Sequence, residues 1–278
     1  MQRLILLSLL FITNNVVNAQ PLKLSGTVTD ETGLAIAYVN IGIPGKNTGT
    51  VSDTQGKFHL EIPDTLLNNS LVLSCVGYRT IELPLSEIAH QNNLTIKMQI
   101  QTIDLQEVTV SNKRLKKRKN GTVGRTPFVM TPSESLSNFD IIEHAQLVEI
   151  NSLTKISNAN IYLVASAEDS VMLRLNFYNA EGDRPGNTHV AKSIVKNFKA
   201  EKGWLKFNFE DTPIYLDNDF YFSFEYLPKP TPKKIKNIRV FFGSRVGSGN
   251  GYMRKCSQCS WTQNKGFATT MYVTSWTD

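Results

Sequence analysis

The chain has 278 residues, 41% of them hydrophobic and 19% charged, which fits packed globular domains and excludes a disordered chain. Its net charge of +6 is local: six of the 30 Lys and Arg fall within residues 113–119 (KRLKKRK), and the other 24 (30 less 6) equal the 24 Asp and Glu. A nucleic-acid partner calls for a basic stripe spread over folded elements, so that class is excluded, and no apolar run reaches the roughly 18 residues of a membrane-spanning helix.

Residues 1–19 read as a signal peptide. Arg3 gives a positive start, residues 4–12 (LILLSLLFI) an apolar core, and Val17-Asn18-Ala19 a cleavage site after Ala19. The core is too short for an anchor, and Asn14, Asn15 and Asn18 oppose a buried helix. No Cys lies near the cleavage point, so no lipid anchor is expected. The mature chain is expected to be exported, to the periplasm, the outer membrane or the cell surface.

Residues 22–110 read as an all-β domain. Leu24, Gly26 and Val28 share one side of a first strand, which Asp30-Glu31-Thr32-Gly33 turns. Val39, Ile41 and Ile43 alternate with Tyr38, Asn40 and Gly42. A short strand over residues 49–52 is closed by Asp53-Thr54-Gln55-Gly56. Phe58, Leu60 and Ile62 point inward against Lys57, His59 and Glu61. Residues 71–76 are nearly continuous apolar and predict a central strand; Leu94, Ile96, Met98 and Ile100 alternate in the last one. About seven short, evenly spaced strands predict a β-sandwich.

Gly26-x-Val28-x-Asp30-x-x-Gly33, Ala37-Tyr38-Val39-Asn40-Ile41, Asn47-Thr48-Gly49-Thr50-x-x-Asp53-x-x-Gly56-x-Phe58-x-Leu60 and Val76-Gly77-Tyr78 occur in that order. The stretch resembles the carboxypeptidase-regulatory-like domain. The resemblance implies a transthyretin-like seven-stranded sandwich, common in exported proteins of Bacteroidetes-type bacteria and often at the front of TonB-dependent receptors. Residues 105–110 (LQEVTV) look like the segment closing such domains. The family accompanies zinc carboxypeptidases and is not their catalytic part. None of His59, His90, His144 or His189 has Glu three residues on, so no zinc site is expected.

Residues 111–138 read as a basic flexible linker, holding the charge run, Gly121, Gly124, Pro127 and Pro132. Lys113, Arg114, Lys116, Lys117, Arg118 and Lys119 could meet an anionic envelope surface. Residues 139–278 are again β. Val171, Leu173, Leu175 and Phe177 alternate with Met172, Arg174, Asn176 and Tyr178. Leu205 and Phe207 alternate with Lys206 and Asn208, and Phe220, Phe222, Phe224 and Tyr226 with Tyr221, Ser223 and Glu225. Strict period two predicts half-buried antiparallel strands, eight or nine in all, in a jelly-roll-like sandwich. This half weakly resembles C-terminal domains that follow carboxypeptidase-regulatory-like domains in exported proteins, through residues 173–179 and 219–224.

Cys256-Ser257-Gln258-Cys259 is the sharpest local motif. In an exported chain a loop-stiffening disulfide ranks first and a reduced pair second; no second pair exists to complete a zinc site. Cys75 reads as an inert core residue. Gly247-Ser248-Gly249-Asn250-Gly251 joins strands rather than opening a helix, so it reads as a hairpin loop and not a phosphate cradle. Glu210, Asp211, Asp217 and Asp219 would be the carboxylates of a hydrolase, yet all sit beside turns. Trp204 and Tyr221 fall on the polar side of their strands, and Tyr252, Arg254 and Trp261 flank the glycine-rich loop and the Cys pair. Such rings stack sugars or anchor protein contacts, or else they pack under loops.

The expectation is a non-catalytic exported binding or scaffold protein of the cell envelope, without cofactor or metal, holding glycan through Trp204, Tyr221, Tyr252, Arg254 and Trp261. The alternative is an envelope assembly or receptor-associated protein acting by protein contact, and a hydrolase comes third.

Overall fold

The computed structural model describes residues 20–91, 93–101, 115–137, 139–188, 193–229, 240–247 and 251–278. The expected signal peptide, Lys113, Arg114 and residues 105–110 lie outside them. The described chain is β throughout, with one four-residue helix (Leu85–Ile88) and one turn of 3-10 helix (Asp64–Leu66).

Residues 22–98 supply seven strands: β1 (Leu22–Asp30), β2 (Asn40–Ile43), β3 (Thr48–Val51), β4 (Lys57–Ile62), β5 (Ser70–Ser74), β6 (Ile81–Pro84) and β7 (Leu94–Met98). They form a sheet in the order β4-β1-β7 and a second in the order β3-β2-β5-β6. Leu24, Phe58 and Ile96 from the first meet Ile41, Leu71 and Leu73 from the second in one core. Strand β5 lies inside its sheet, as its apolar run predicts. Two turns use one device. Asp30 Oδ1 accepts from the amides of Thr32 and Leu34, both at 2.9 Å, ahead of Gly33 at φ 91°. Asp53 Oδ1 accepts from those of Gln55 (2.8 Å) and Lys57 (2.9 Å) around Gly56 at φ 73°. The short carboxylate stands in for a strand, and glycine supplies the left-handed backbone.

The second body begins earlier than the sequence suggests. Its strands are β8 (Lys116–Gly121), β9 (Met130–Ser133), β10 (Ile142–Val148), β11 (Thr154–Ser166), β12 (Ser170–Glu181), β13 (Arg184–Thr188), β14 (Ile194–Lys199), β15 (Gly203–Asn208), β16 (Ile214–Leu216), β17 (Phe220–Tyr226), β18 (Val240–Val246), β19 (Gly251–Arg254), β20 (Thr262–Asn264), β21 (Phe267–Thr269) and β22 (Met271–Thr277). Seven make a sheet in the order β13-β12-β17-β10-β19-β20, with β14 also on β12. Eight make the other, β21-β18-β11-β22-β8, with β15 and β16 on β11 and β9 on β18. Phe177, Phe220, Phe222 and Phe224 of one meet Ile161, Phe207, Phe242 and Val273 of the other, so the core is aromatic and continuous.

Two expectations change. The basic tract is not a linker where it is described: residues 116–121 pair antiparallel with β22, from Lys116↔Thr277 to Gly121↔Tyr272. Lys117 and Lys119 stand over the rings of Trp276 and Tyr272, at 5.5 and 4.9 Å. Like charges oppose compaction only when nothing offsets them. Here an open strand edge supplies the ladder and the rings partner the cations. Strands β18 and β19 also belong to different sheets and do not pair as a hairpin; residues 248–250 of the glycine-rich stretch lie outside the described residues.

The pairing of β8 yields a test. Trypsin cleaves after Lys and Arg and needs an extended, unpaired substrate. It is expected to leave the bonds after Lys117, Arg118 and Lys119 intact in the native protein while opening them at once in urea. Rapid native cleavage there would return the tract to a linker.

Candidate functional site

Both faces of the central strands of the seven-stranded sheet are buried. Every residue of β17 is buried, and Arg174, Asn176 and Tyr178 of β12 are buried along with Leu175 and Phe177 between them. The polar half of the alternating pattern therefore faces inward, where each charge needs a partner.

Glu143 of β10 is fully enclosed and its partners are its neighbours across the sheet. Its Oε1 accepts from Tyr178 OH at 2.8 Å, Asn176 Nδ2 at 2.9 Å and Ser223 Oγ. Its Oε2 accepts from Arg254 Nε at 2.6 Å. Burial would raise this carboxyl, but the Arg254 guanidinium and the three donors outweigh it and hold it low. Asn176 Nδ2 reaches on to Glu225 Oε2 at 3.0 Å, which also pairs with Arg174 Nη1 at 3.3 Å. Two carboxylates and two guanidiniums thus close a neutral chain. Its far end crosses to the first sandwich: Arg174 Nη2 donates to the carbonyl of Tyr38, a residue held at φ 59°. Nε of Arg174 and Oε1 of Glu225 meet no partner, so this end is the less satisfied one.

A second joint lies at the Cys256–Cys259 disulfide, whose Cα atoms are 5.3 Å apart. Asp140 Oδ1 accepts from the Ser257 amide at 2.9 Å and its hydroxyl at 2.7 Å. On the other side the Gln258 carbonyl accepts from the Gly45 amide at 3.0 Å, and Gln258 Nε2 donates to Ser74 Oγ at 2.7 Å. The Ser257 carbonyl lies against Gly42 and Gly49; a Cβ on either would stand 2.6 Å from that oxygen. Glycine is needed at these two positions for close approach rather than for a turn. Phe139 completes the seam, its carbonyl accepting from the Val51 amide at 3.0 Å along the edge of β3. A cleft of about 230 Å3 opens beside it between Asp53, His59, Phe139 and Lys229, but Asp53 serves its turn and Lys229 Nζ already donates to the Ser170 carbonyl.

The expected ligand residues fall on opposite sides of the second sandwich. Tyr221 and Tyr252 are 1% and 7% exposed and pack edge to face, 5.5 Å between centroids. They are not surface rings, because the sheet face that carries them is covered. Trp261 packs on Tyr178 at 5.8 Å and lies 4.9 Å from the Arg254 guanidinium, closing the charge chain from above. Trp204 alone points outward, 40% exposed, on the eight-stranded sheet. There it meets two rings that the sequence reading did not single out. Tyr162 stands 5.3 Å away and Tyr272 4.9 Å, both edge to face. Cross-strand register extends this face in rows. Lys206, Asn160, Tyr272 and Gly121 form one. Asn208, Asn158, Thr274 and Lys119 form the next. Tyr215, Lys155, Trp276 and Lys117 form a third. The alternation of β11, β15 and β22 carried this signal; the pairing of β8 did not show in sequence.

The expected carboxylates are committed elsewhere: Asp219 Oδ1 accepts from the Ile150 amide at 2.7 Å, and Glu210 lies 3.8 Å from Lys206 Nζ. His144 is enclosed between Ser133, Thr269 and Phe242, and burial lowers it to about 4. Among the described residues no group of three or more His, Cys, Asp or Glu could hold a metal ion.

Two outcomes follow for the joints. Glu143→Ala leaves the largely enclosed Arg254 without its carboxylate and is expected to cost about 3 kcal/mol in urea unfolding; an unchanged midpoint would mean that the cluster does not stabilise the fold. Burial raises Asp140 to about 6 from 3.8. The folded chain thus keeps a proton that the unfolded chain releases. That stabilisation is complete below about pH 4 and lost as pH rises through about 6. Measured against Asp140→Asn, the native protein should lose about 3 kcal/mol between pH 4 and pH 7. His144 has the opposite slope in both proteins and drops out of the difference. A flat difference would show that Asp140 titrates normally.

Residues 24–110 match the CarboxypepD_reg-like domain. A TonB-dependent receptor of Formosa agariphila is 33% identical over 107 residues, 38% of this chain and 10% of the receptor. A second from the same organism is 34% identical over 149 residues, 52% of this chain and 13% of that one. The SusC receptor of Bacteroides thetaiotaomicron is 33% identical over 86 residues, 31% of this chain and 8% of its own length. The chain spans about a tenth of the length of these curated relatives. Among solved structures, a clostridial cysteine protease after propeptide cleavage overlaps 94% of this chain and 71% of its own at TM-score 0.40 and 6% identity, a likeness that carries no argument. Residues 24–110 are a carboxypeptidase-regulatory-like domain, set at the N-terminal side of a second β body.

Proposed function

We propose that this chain is a non-catalytic binding module of the bacterial cell envelope, which holds glycan on the outer face of its eight-stranded sheet. The kinship of its first domain with TonB-dependent receptors supports the envelope setting. The observation that carries the ligand is the ring group Tyr162, Trp204 and Tyr272. Each ring is fixed by the edge of the next, on strands rather than loops. A fixed ring costs little further order on binding, and its face accepts the apolar side of a sugar. The buried joints favour a rigid scaffold over a catalyst, since their carboxylates are enclosed and already partnered.

A second reading, contact with an envelope protein, is favoured by one turn. Phe128 sits at φ 62° and is 95% exposed, with Met130 and Val246 exposed beside it. Displaying a large ring from a left-handed position costs backbone energy, here in a turn closed by the Val129 amide on the Thr126 carbonyl at 3.2 Å.

A glycan array separates the two. The mature protein should bind, and Trp204→Ala should weaken binding about tenfold, the worth of one stacked ring. Phe128→Ala should leave it unchanged. No array binding, with Phe128-dependent capture of an envelope protein, would replace the first reading by the second.

A further inference from the structure

The three cross-strand rows are as informative in charge as in shape. Lys206, Lys155, Lys119 and Lys117 occupy one position in each of two rows and two in the third, and no Asp or Glu stands in any of them. Arg125 adds a fifth cation, 5.1 Å from the Tyr162 ring. Glu210 is an acidic neighbour at the border, 3.8 Å from Lys206. Lys117 and Lys119 come from the basic tract, and Lys155, Lys206 and Arg125 from a remainder that is charge-balanced; the pairing of β8 with β22 is what brings them onto one face. Rows of outward residues lie roughly 7 Å apart along a strand and strands about 4.8 Å apart. The platform is wide enough for several sugar units; Lys117, Lys119, Lys206 and Asn208 are its exposed polar groups, and Asn158, Asn160 and Thr274 between them are buried.

The geometry points to an acidic polysaccharide as the occupant of this face. Lys117, Lys119, Lys155 and Lys206 pair with its carboxylates, while the exposed Trp204 takes a sugar ring. The inference rests on the glycan reading and narrows it. Charge complementarity selects the class: a neutral glycan has no use for four lysines on one face, two of them held over rings, and each would stay solvated at no gain. The rings select against the other polyanions. Tyr162, Tyr272 and Trp276 are half-buried and form a floor, not wedges that enter a membrane. Asn208, exposed in the same row as Lys119, offers a donor and an acceptor, which suits hydroxyls; a phosphodiester offers acceptors alone.

Affinity electrophoresis of the mature chain in gels containing polygalacturonate or dextran tests this. Polygalacturonate should retard the protein at low salt, less so at 0.5 M salt, and dextran should retard it at least about tenfold less. The triple variant Lys117→Gln, Lys119→Gln, Lys155→Gln should lose about tenfold in affinity for polygalacturonate at an unchanged melting temperature, and Trp204→Ala should also bind less. Equal retardation by dextran, or a triple variant that binds as well as the native chain, overturns acidic selectivity and leaves the glycan reading standing. No retardation by either polymer overturns both. Retardation by single-stranded DNA, or capture by phosphatidylglycerol vesicles, at salt that releases polygalacturonate overturns the inference in favour of a different polyanion.

Discussion

The buried chain Arg174–Glu225–Asn176–Glu143–Arg254 sets the terms for the rest of the molecule. A sheet face carrying two carboxylates and two guanidiniums would ordinarily face water. Taking those charges out of solvent is tolerable only if they pair, and pairing across strands β12, β17, β10 and β19 meets that condition. Once the face is neutral it can be covered, and the first sandwich and the disulfide loop cover it. The reach of Arg174 to the Tyr38 carbonyl makes the cover specific to that domain.

This arrangement shows how the first domain packs against the second body. Its β3 edge is occupied by Phe139, and its Gly42 and Gly49 receive the Ser257 carbonyl. Edge and glycine pair are used for docking, which covers the β3 edge of that sheet. In the proposed function the ligand lies on the far side of the second body, on the eight-stranded sheet, where strands hold the rings in place and a binder gains affinity from groups already ordered.

Much of this was legible in sequence. The Asp-x-x-Gly turns at Asp30 and Asp53 and the period-two strands identified an all-β chain, since a local carboxylate and a left-handed glycine act within a few residues. Trp204 could be placed on a polar strand face for the same reason. The inward burial of Tyr221, Tyr252, Arg174 and Glu225 could not, because a polar strand face reads alike whether water or another domain lies over it. Nor could the pairing of β8, since six basic residues of seven resemble a solvated linker until a partner strand and two rings are known.

The sequence by itself determined the β class, the kinship of residues 24–110 and the turns that delimit their strands, all of them local or alternating signals. Tertiary structure alone decided which polar face is inside, which basic residues join a sheet, and that Trp204, Tyr272 and Trp276 share a surface with Lys117 and Lys119. These are contacts across about 70 to 160 residues of chain. Their partners are chosen by the packing of whole sheets, on which no short stretch of sequence reports.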